Sequence, residues 1–366
     1  MRVLLAGGGT AGHINPAIAI ADKIRENNPD AEILFAGTSR GMESRLVPKA
    51  GYNFTPINVR GFQRQLSLRN IKNNILAVGC LVSSRFRAKK IIRDFKPDVV
   101  IGTGGYVSGP IVLTAADMGI KTAIHEQNAY AGVTTKLLSK KVDVAMLAFE
   151  AAAKYLDEKC KFEVVGNPVR RDIIFESRQK SREKLGIGER ICVLSFGGSL
   201  GAQKVNDAVA HLIRKNAGNK NFYHIHSTGA LGYEDFLKNL GIDPKNYDNL
   251  DIRQYIDDMP TCMAAADLVI SRAGAITLSE IQATGKPAIL IPSPNVAENH
   301  QFHNAMVLKN SDAAEIIEEK DLSGEKLTEV VENLDKSRLE TLGKNASKMA
   351  IIDCSDRIYK IIKSLF

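Results

Sequence analysis

The feature that most constrains this chain is a repeated pattern, in which a short apolar run ends in glycines and leads into a helix-like stretch. The pattern occurs at residues 2–9, RVLLAGGG, and again at 191–199, ICVLSFGGS. Further runs such as DVVIGTGG and DLVISRAG alternate with helical patterns along the chain. Short buried-strand runs separated by helices are typical of parallel sheets that helices cover. The sequence therefore predicts an α/β protein built from doubly wound parallel sheets.

The length and the repeat together predict two domains. The chain has 366 residues, and a domain takes about 150 residues as a loose prior. We place the boundary at the segment VVGNPVR, which gives domains at 1–164 and 165–344, followed by a helix-like stretch at 345–366. In open α/β sheets, ligands bind beyond the carboxyl ends of the strands. The glycine-rich loops that follow the strands are therefore the expected binding elements.

Several classes of site are disfavoured by the sequence. The five cysteines are scattered and form no C-x-x-C pair, which argues against a disulfide framework or a thiolate metal site. His224 and His226 form an H-x-H pair without a third ligand cluster, and the chain has no D-x-D motif. We therefore expect no metal and no cofactor, with helix dipoles and backbone N–H groups holding any diphosphate. No apolar run reaches the roughly 20 residues of a membrane-spanning helix, and no secretory signal is expected.

Three glycine loops follow predicted strands. The first, GGGTAGH at 7–13, contains a G-x-G-x-x-G; the second is GTGGYVSG at 102–109, and the third is GGSLGA at 197–202. Such loops allow close approach of a phosphate to a helix N-terminus. A dinucleotide site remains an alternative for the first loop, with Arg40 available for an NADP phosphate. Each loop alone is also compatible with a plain structural turn.

Individual side chains near these loops have two interpretations each. His13 follows the first loop and is either a general base or a capping and packing residue. Glu280 is either an acceptor for sugar hydroxyls or a solvated helix residue. Asn128 and Gln301 are amides suited to a sugar, or to local turn bonding.

The window from Arg60 to Lys96 has ten basic residues and a single acid, Asp94. Apolar residues are interleaved with the basic ones, which favours contact with anionic lipid over a solvated helix. Nucleic-acid binding is the competing use, but no nucleic-acid motif supports it. The predicted membrane patch consists of Arg69, Lys72, Ile75, Leu76, Arg85, Phe86, Arg87, Lys89 and Lys90.

A set of motifs in one order covers nearly the whole chain. They are GGGTAGHINP, MESRLVP, KPDVVIGTGGYVSGP, HEQN, VVGNPVR, FGGSLGA, YIDDM, SRAGAITLSE and the H-Q-x-x-N around Gln301. Together they resemble the MurG family of lipid I N-acetylglucosaminyltransferases, in glycosyltransferase family 28. The resemblance implies the GT-B fold, with two Rossmann-like domains facing across a cleft and the helix at 345–366 packed back on the first domain. Ala11 and Leu200 depart from the residues frequent in that family, glycine and glutamine respectively.

The resemblance implies an inverting transfer of N-acetylglucosamine from UDP-N-acetylglucosamine (UDP-GlcNAc) to lipid I. The acceptor would be the C4 hydroxyl of N-acetylmuramic acid, and the products lipid II and UDP, in peptidoglycan synthesis and hence in cell shape and division. A diacylglycerol glycosyltransferase, a UDP-GlcNAc 2-epimerase, an NADP-binding oxidoreductase and a sugar-nucleotide sensor are the alternatives.

The resemblance also implies partners and a location. UDP-GlcNAc, undecaprenyl-linked lipid I and an anionic membrane are the expected partners, with proteins of wall synthesis or division as further ones. Nucleic acid is not expected. The location implied is peripheral, on the cytoplasmic face of the cell membrane.

Site residues follow from the same resemblance. His13 would be the general base, and Thr10, Ala11 and Gly12 would lie against the diphosphates. Asn128 and Gln301 would contact the transferred sugar. The remaining substrate contacts would be Arg170 and Ser199 at the UDP diphosphate, Ile256 at the uracil, Glu280 at the ribose, and Ala275, Ile276, Thr277, Leu278 and Ser279 beside the sugar.

Overall fold

A computed structural model describes residues 1–59 and 83–366 of the chain. These residues divide into two compact units. Unit 1 consists of Met1–Pro168 and Asp353–Phe366, and unit 2 is Val169–Ile352. Within the described ranges, no helix combines the length and the apolar character needed to cross a bilayer.

Unit 1 contains a parallel sheet whose seven described strands lie in the order β3-β2-β1-β4-β5-β6-β7. Its strands are β1 Arg2–Gly7, β2 Glu32–Gly37, β3 Asn53–Pro56, β4 Val99–Gly104, β5 Lys121–Glu126, β6 Val144–Leu147 and β7 Phe162–Val164. Its helices are α1 Ala11–Asn27, α2 Glu43–Lys49, α3 at 83–95, α4 Gly105–Asp117, α5 Val133–Leu138 and, from the chain end, α15 Cys354–Lys363, with a 3₁₀ turn at Glu150–Tyr155.

Unit 2 repeats the architecture with six described strands in the order β10-β9-β8-β11-β12-β13. They are β8 Ile191–Phe196, β9 Phe222–Ser227, β10 Leu250–Arg253, β11 Leu268–Ser271, β12 Ala288–Leu290 and β13 Glu315–Ile316. The helices are α6 Arg171–Phe175, α7 Arg178–Lys184, α8 Gln203–Asn216, α9 Tyr233–Leu240, α10 Met259–Ala265, α11 Ala275–Thr284, α12 His300–Asn310, α13 Gly324–Glu332 and α14 Lys336–Lys348, with 3₁₀ turns at Pro244–Asn246 and Ala297–Asn299.

The central strands form the cores because most of their residues are apolar and buried. Leu4 of β1 and Val100 of β4 are fully buried, as are Val193 of β8 and Ile270 of β11. In each unit the strand order reverses beside the first strand, between β1 and β4 and between β8 and β11. A crevice for ligands forms at such a switch point. The loops that follow these four strands are therefore the best placed to bind a ligand.

Helix α1 contains Pro16 in its second turn, where the proline has no N–H to donate to the preceding turn. One boundary differs from that expected from the sequence. The stretch at 345–366 is divided: α14 ends at Lys348 within unit 2, and only α15 packs on unit 1. There the Lys23 ammonium lies 2.8 Å from the Asp356 carboxylate, and Asn28 donates a hydrogen bond to the Tyr359 hydroxyl.

Candidate active site

His13 lies in the first turn of α1, directly beyond the carboxyl end of β1. Its Nδ1 is 3.0 Å from the carbonyl oxygen of Gly8 and 3.3 Å from the Thr10 hydroxyl. A carbonyl oxygen only accepts hydrogen bonds, so the bond to Gly8 requires the proton on Nδ1. In the neutral ring Nε2 then carries the lone pair, and it makes no hydrogen bond with the residues described. Such a ring can accept a proton at Nε2.

The second glycine loop packs directly on the first. A side chain at Gly105, where φ is +76°, would come within 2.2 Å of the Gly8 carbonyl oxygen. One at Gly104 would come within 2.7 Å of the His13 ring. The Thr103 hydroxyl also donates to the backbone carbonyl of His13 at 2.8 Å. These glycines allow the close packing that holds His13. Phosphate binding by this loop stays a prediction.

Glu43 is a functional candidate in unit 1 that the sequence does not single out. Its side chain is buried beside the first loop, where Oε2 accepts the Gly9 N–H at 3.2 Å. Oε1 accepts the backbone N–H and the hydroxyl of Thr38, at 2.9 and 2.7 Å. Burial raises the pKa of Glu43, but these hydrogen bonds outweigh burial and lower it overall. The only available signal was the motif MESRLVP, which contains Glu43 but says nothing of its contact.

Glu43 occupies the N–H of Gly9. The residues that follow Gly9 in the first loop are the ones placed to bind an anion. Thr10 is the N-cap of α1 without a side-chain capping bond, and Ala11 and Gly12 follow as the first helical residues. The first N–H groups of a helix have no partner within it and favour negative charge. The three predicted residues Thr10, Ala11 and Gly12 thus lie at the one end of α1 that attracts an anion.

Asn128 lies beyond the carboxyl end of β5, on a loop organised by Glu126. One oxygen of the buried Glu126 carboxylate accepts both the backbone N–H and the side-chain amide of Asn128, each at 3.1 Å. The other accepts the Gly132 N–H and the Thr135 hydroxyl, at 3.0 and 2.5 Å. The orientation of the Asn128 amide is therefore set by a carboxylate that the sequence analysis passed over.

In unit 2, a cavity of about 480 Å³ lies at the switch point between β8 and β11. It is lined by the third glycine loop, by Lys204 in the first turn of α8, and by Thr277 and Gln301 from the predicted set. Ser199 is exposed in the same loop, and its carbonyl accepts the Ala230 N–H at 3.0 Å. Glycine backbone, a helix start and a lysine together suit a diphosphate.

The lining of this cavity also includes an ion pair between Arg272 and Glu319, to which the sequence assigns no role. The Arg272 guanidinium bonds to the Glu319 carboxylate and to the backbone carbonyls of Ile291 and Pro292, at 3.2 and 3.3 Å. Beside it, the Gln301 side-chain oxygen accepts the Ser293 N–H at 2.9 Å. The NH₂ end of Gln301 is therefore the end available as a donor to a ligand in the cavity.

Glu280 lies on α11 beside the start of α6. Burial raises its pKa to about 7, with Arg170 lowering it and Asp172 raising it. Arg170 is the N-cap of α6, and its Nε is 3.6 Å from the Asp172 carboxylate. The structure thus brings Arg170 and Glu280, predicted separately, into one electrostatic neighbourhood.

The other predicted residues of unit 2 differ in burial. Ile256 is buried just beyond β10, and Leu278 points into the core of unit 2. The Ser279 hydroxyl donates to the Ala275 carbonyl at 3.2 Å, while Ile276 is half-buried. A ligand contact from Ile256 or Leu278 would therefore come from the backbone.

His224 and His226 lie in the core, not on a metal-binding face. The Ser195 hydroxyl is 2.7 Å from His224 Nε2 and 2.8 Å from His226 Nδ1. Burial lowers both pKa values, that of His226 to about 3. Across residues 1–59 and 83–366, no group of three or more His, Cys, Asp or Glu could hold a metal ion.

The predicted membrane patch is partly described. Arg69, Lys72, Ile75 and Leu76 lie outside the described residues, whereas Arg85, Phe86, Arg87, Lys89 and Lys90 lie on the exposed face of α3. Phe86 is 74% exposed among them. Asp117 pairs with Arg85 and with Lys141, which connects α3 to the segment after α5. Val133 and Leu137 of α5 are also exposed. Basic and large apolar side chains thus share one region of unit 1.

Comparison with known proteins identifies the family. A model of the glycosyltransferase family 28 N-terminal domain matches residues 3–147, and one of its C-terminal domain matches 192–362. A transferase from Acetivibrio thermocellus named UDP-N-acetylglucosamine--N-acetylmuramyl-(pentapeptide) pyrophosphoryl-undecaprenol N-acetylglucosamine transferase is 47% identical, over 100% of this chain and 98% of its own length. A protein of the same name from Bacillus cytotoxicus is 41% identical, over 100% and 99%.

Solved structures agree with the sequence relatives. The crystal structure of an Acinetobacter baumannii MurG matches with a TM-score of 0.79 and 27% identity, covering 99% of each chain. A UDP-GlcNAc 2-epimerase from Neisseria meningitidis, at 15% identity and a TM-score of 0.64, shares the fold alone. The chain therefore belongs to glycosyltransferase family 28, the family that includes these N-acetylglucosamine transferases.

Proposed function

We propose that this protein transfers N-acetylglucosamine from UDP-GlcNAc to the C4 hydroxyl of N-acetylmuramic acid in lipid I, releasing lipid II and UDP. The observation that carries the proposal is the 47% identity, over the full chain, to a transferase whose name states this reaction. The local chemistry supports it, because unit 2 offers a diphosphate cavity and unit 1 a histidine with its lone pair on Nε2.

The proposed reaction is a single displacement with inversion at C1 of the donor sugar. His13 Nε2 accepts the proton of the acceptor hydroxyl as the oxygen forms its bond to C1. The bond from C1 to the diphosphate oxygen breaks, and UDP leaves with the electron pair. Donors at the third glycine loop, the start of α8 and Lys204 stabilise the charge that develops on the leaving diphosphate.

We infer that no metal ion is required. Backbone N–H groups and the Lys204 ammonium supply positive charge at the cavity, which is the role that a metal has in many sugar-nucleotide enzymes.

Glu43 disfavours the alternative function of an NADP-binding oxidoreductase with a dinucleotide at the first glycine loop. Its carboxylate already accepts the Gly9 N–H that a dinucleotide pyrophosphate would need in the first loop.

The deciding experiment follows UDP release from UDP-GlcNAc, with and without a soluble lipid I analogue, in the presence of EDTA. Release that depends on the acceptor and persists in EDTA is expected. Donor binding without release would point to another acceptor or to a sensor. Release that stops in EDTA and returns with a divalent metal would contradict metal independence.

We also propose that the protein binds the cytoplasmic face of the cell membrane peripherally, where lipid I and proteins of wall synthesis or division would meet it. Support comes from the exposed basic face of α3, with Phe86 among its residues, and from Val133 and Leu137 near Lys141. Basic residues at an anionic surface contribute about 1 kcal/mol each.

Reversing four charges on α3 is expected to weaken binding to anionic vesicles by at least ~10-fold. The variant changes Arg87, Lys89, Lys90 and Arg93 to glutamate and leaves the Arg85–Asp117 pair intact. Co-sedimentation with phosphatidylglycerol vesicles measures the effect. The control reverses four exposed lysines of unit 2, Lys220, Lys238, Lys245 and Lys348. Equal losses in the two variants would show a general charge effect and contradict a patch on α3.

A further inference from the structure

One peptide group lies between Glu43 and His13. Its N–H belongs to Gly9 and donates to the Glu43 carboxylate at 3.2 Å. Its carbonyl belongs to Gly8 and accepts the His13 Nδ1–H at 3.0 Å. The carboxylate and the imidazole therefore bond to opposite ends of the same amide.

The surroundings of Glu43 are shaped around its carboxylate. Side chains at Gly8, Gly37 or Gly41 would come within 2.7, 2.5 and 2.3 Å of its atoms. Three donors converge on the two oxygens, from Gly9 and from the backbone and hydroxyl of Thr38. An unpaired buried charge would be costly, whereas a carboxylate with several donors is kept ionised. A negative charge is therefore fixed at the N–H end of the Gly8–Gly9 peptide.

A negative charge at the N–H end of a peptide group strengthens the hydrogen bond that its carbonyl oxygen accepts. Hydrogen bonds in series polarise one another inside a protein, so the Gly8 oxygen becomes a stronger acceptor for the His13 Nδ1–H. A carboxylate bonded directly to a histidine holds its tautomer and stabilises the imidazolium form. Here the Gly8–Gly9 peptide lies between the carboxylate and the imidazole, so the carboxylate of Glu43 would act on His13 through this peptide.

We propose that Glu43 is a positioning residue for His13, acting through the Gly8–Gly9 peptide to hold the Nδ1–H tautomer and to increase the basicity of Nε2. The inference rests on the proposed function, in which His13 Nε2 takes the acceptor proton. Glu43 reaches the ring only through the peptide group, and its buried carboxylate already accepts three protein donors, so it acts through His13 and not on the substrate.

Glu43→Gln removes the charge and keeps the size and one acceptor oxygen. We expect kcat to fall ~10–100-fold, as for other residues that orient an active group through a second one, with the Kd of UDP-GlcNAc unchanged. The acid limb of the kcat/KM profile should move to lower pH, since the imidazolium loses a stabilising charge. A merely structural role would lower stability but leave that limb in place.

Two controls accompany the variant. Glu32→Gln removes an exposed carboxylate of unit 1, paired with Arg2, that has no contact with the loop. Tyr106→Phe removes another titratable group beside the loop, on a ring that lies next to Gly9. Neither should move the acid limb. An unmoved limb in Glu43→Gln, with transfer intact, overturns the inference.

Nitrogen NMR of the imidazole tests the same point without any turnover. In the wild-type protein the neutral His13 ring should be protonated on Nδ1, and its titration should shift to lower pH in Glu43→Gln. His13→Asn identifies the resonances by their loss. Protonation on Nε2 in the wild type overturns the inference, even if Glu43→Gln fails to fold. If the wild type transfers no sugar, the proposed function fails, and the NMR result alone decides the role of Glu43.

Discussion

Replacing His13 with alanine should lower kcat by ~10²–10⁴, the range typical of a lost general base. In the neutral imidazole, the bond to the Gly8 carbonyl places the proton on Nδ1 and leaves the lone pair on Nε2. Without this base, the acceptor hydroxyl must attack while it still carries its proton. The described residues that line the cavity proposed for the diphosphate belong to unit 2 and do not include His13, so the Kd of UDP-GlcNAc should be unchanged. Steady-state kinetics with a soluble lipid I analogue and calorimetry of donor binding measure the two quantities.

His13→Asn is the matched control for this prediction. The asparagine amide can donate to the Gly8 carbonyl, as Nδ1 does, but it cannot accept a proton at neutral pH. An equal loss in the alanine and asparagine variants supports the base. If asparagine restores turnover, the histidine only holds the loop, and the proton has another acceptor.

Binding of UDP-GlcNAc should weaken as the pH falls through about 7, the value to which burial raises the pKa of Glu280. If Glu280 contacts the ribose as the family resemblance implies, the ionised carboxylate would accept hydrogen bonds from the ribose hydroxyls above that pH, and below it a proton would occupy one oxygen. Hydrogen bonds to a charged group contribute about 1.5–3 kcal/mol. Glu280→Gln should therefore raise the Kd ~10–100-fold at pH 8 and remove the pH dependence. Calorimetric titrations from pH 5.5 to 8.5 measure both effects.

The same substitution should stabilise the free protein at high pH. The pKa of Glu280 in the folded state lies above its ordinary value of 4.5, so the folded state holds a proton that the unfolded state releases. The free energy of unfolding therefore decreases as the pH rises from about 4.5 to about 7. Glutamine does not ionise, so the variant avoids the free-energy cost of a buried charge in the folded state. Its Tm should therefore exceed that of the wild type at pH 8 and match it near pH 4.5.

Glu340→Gln provides the control, because Glu340 is a unit 2 glutamate on α14, away from the diphosphate cavity. It should change neither the Kd nor its pH dependence. Donor binding that stays pH-independent in the wild type would show that Glu280 does not contact the ribose.

Local patterns in the sequence were sufficient to predict the architecture of two parallel sheets covered by helices. Apolar runs such as RVLLAG and ICVLSF became β1 and β8 at the centres of two parallel sheets. Strand and helix periodicity are properties of neighbouring residues, so they are visible without a structure. The same applies to His13 and Gln301, which lie in recognisable motifs. The family could be inferred at this level because its motifs occur in one order along the chain.

The electrostatic details of the site were decided only by the tertiary structure. Glu43 bonds to a loop 34 residues earlier in the chain, and Arg272 pairs with Glu319, 47 residues later. The raised pKa of Glu280 comes from burial that no motif records. Contacts of this kind join side chains far apart in the sequence and have no period. The sequence by itself determined which elements form and where the binding loops lie, whereas folding decided which charges meet there and which atom of His13 carries the proton.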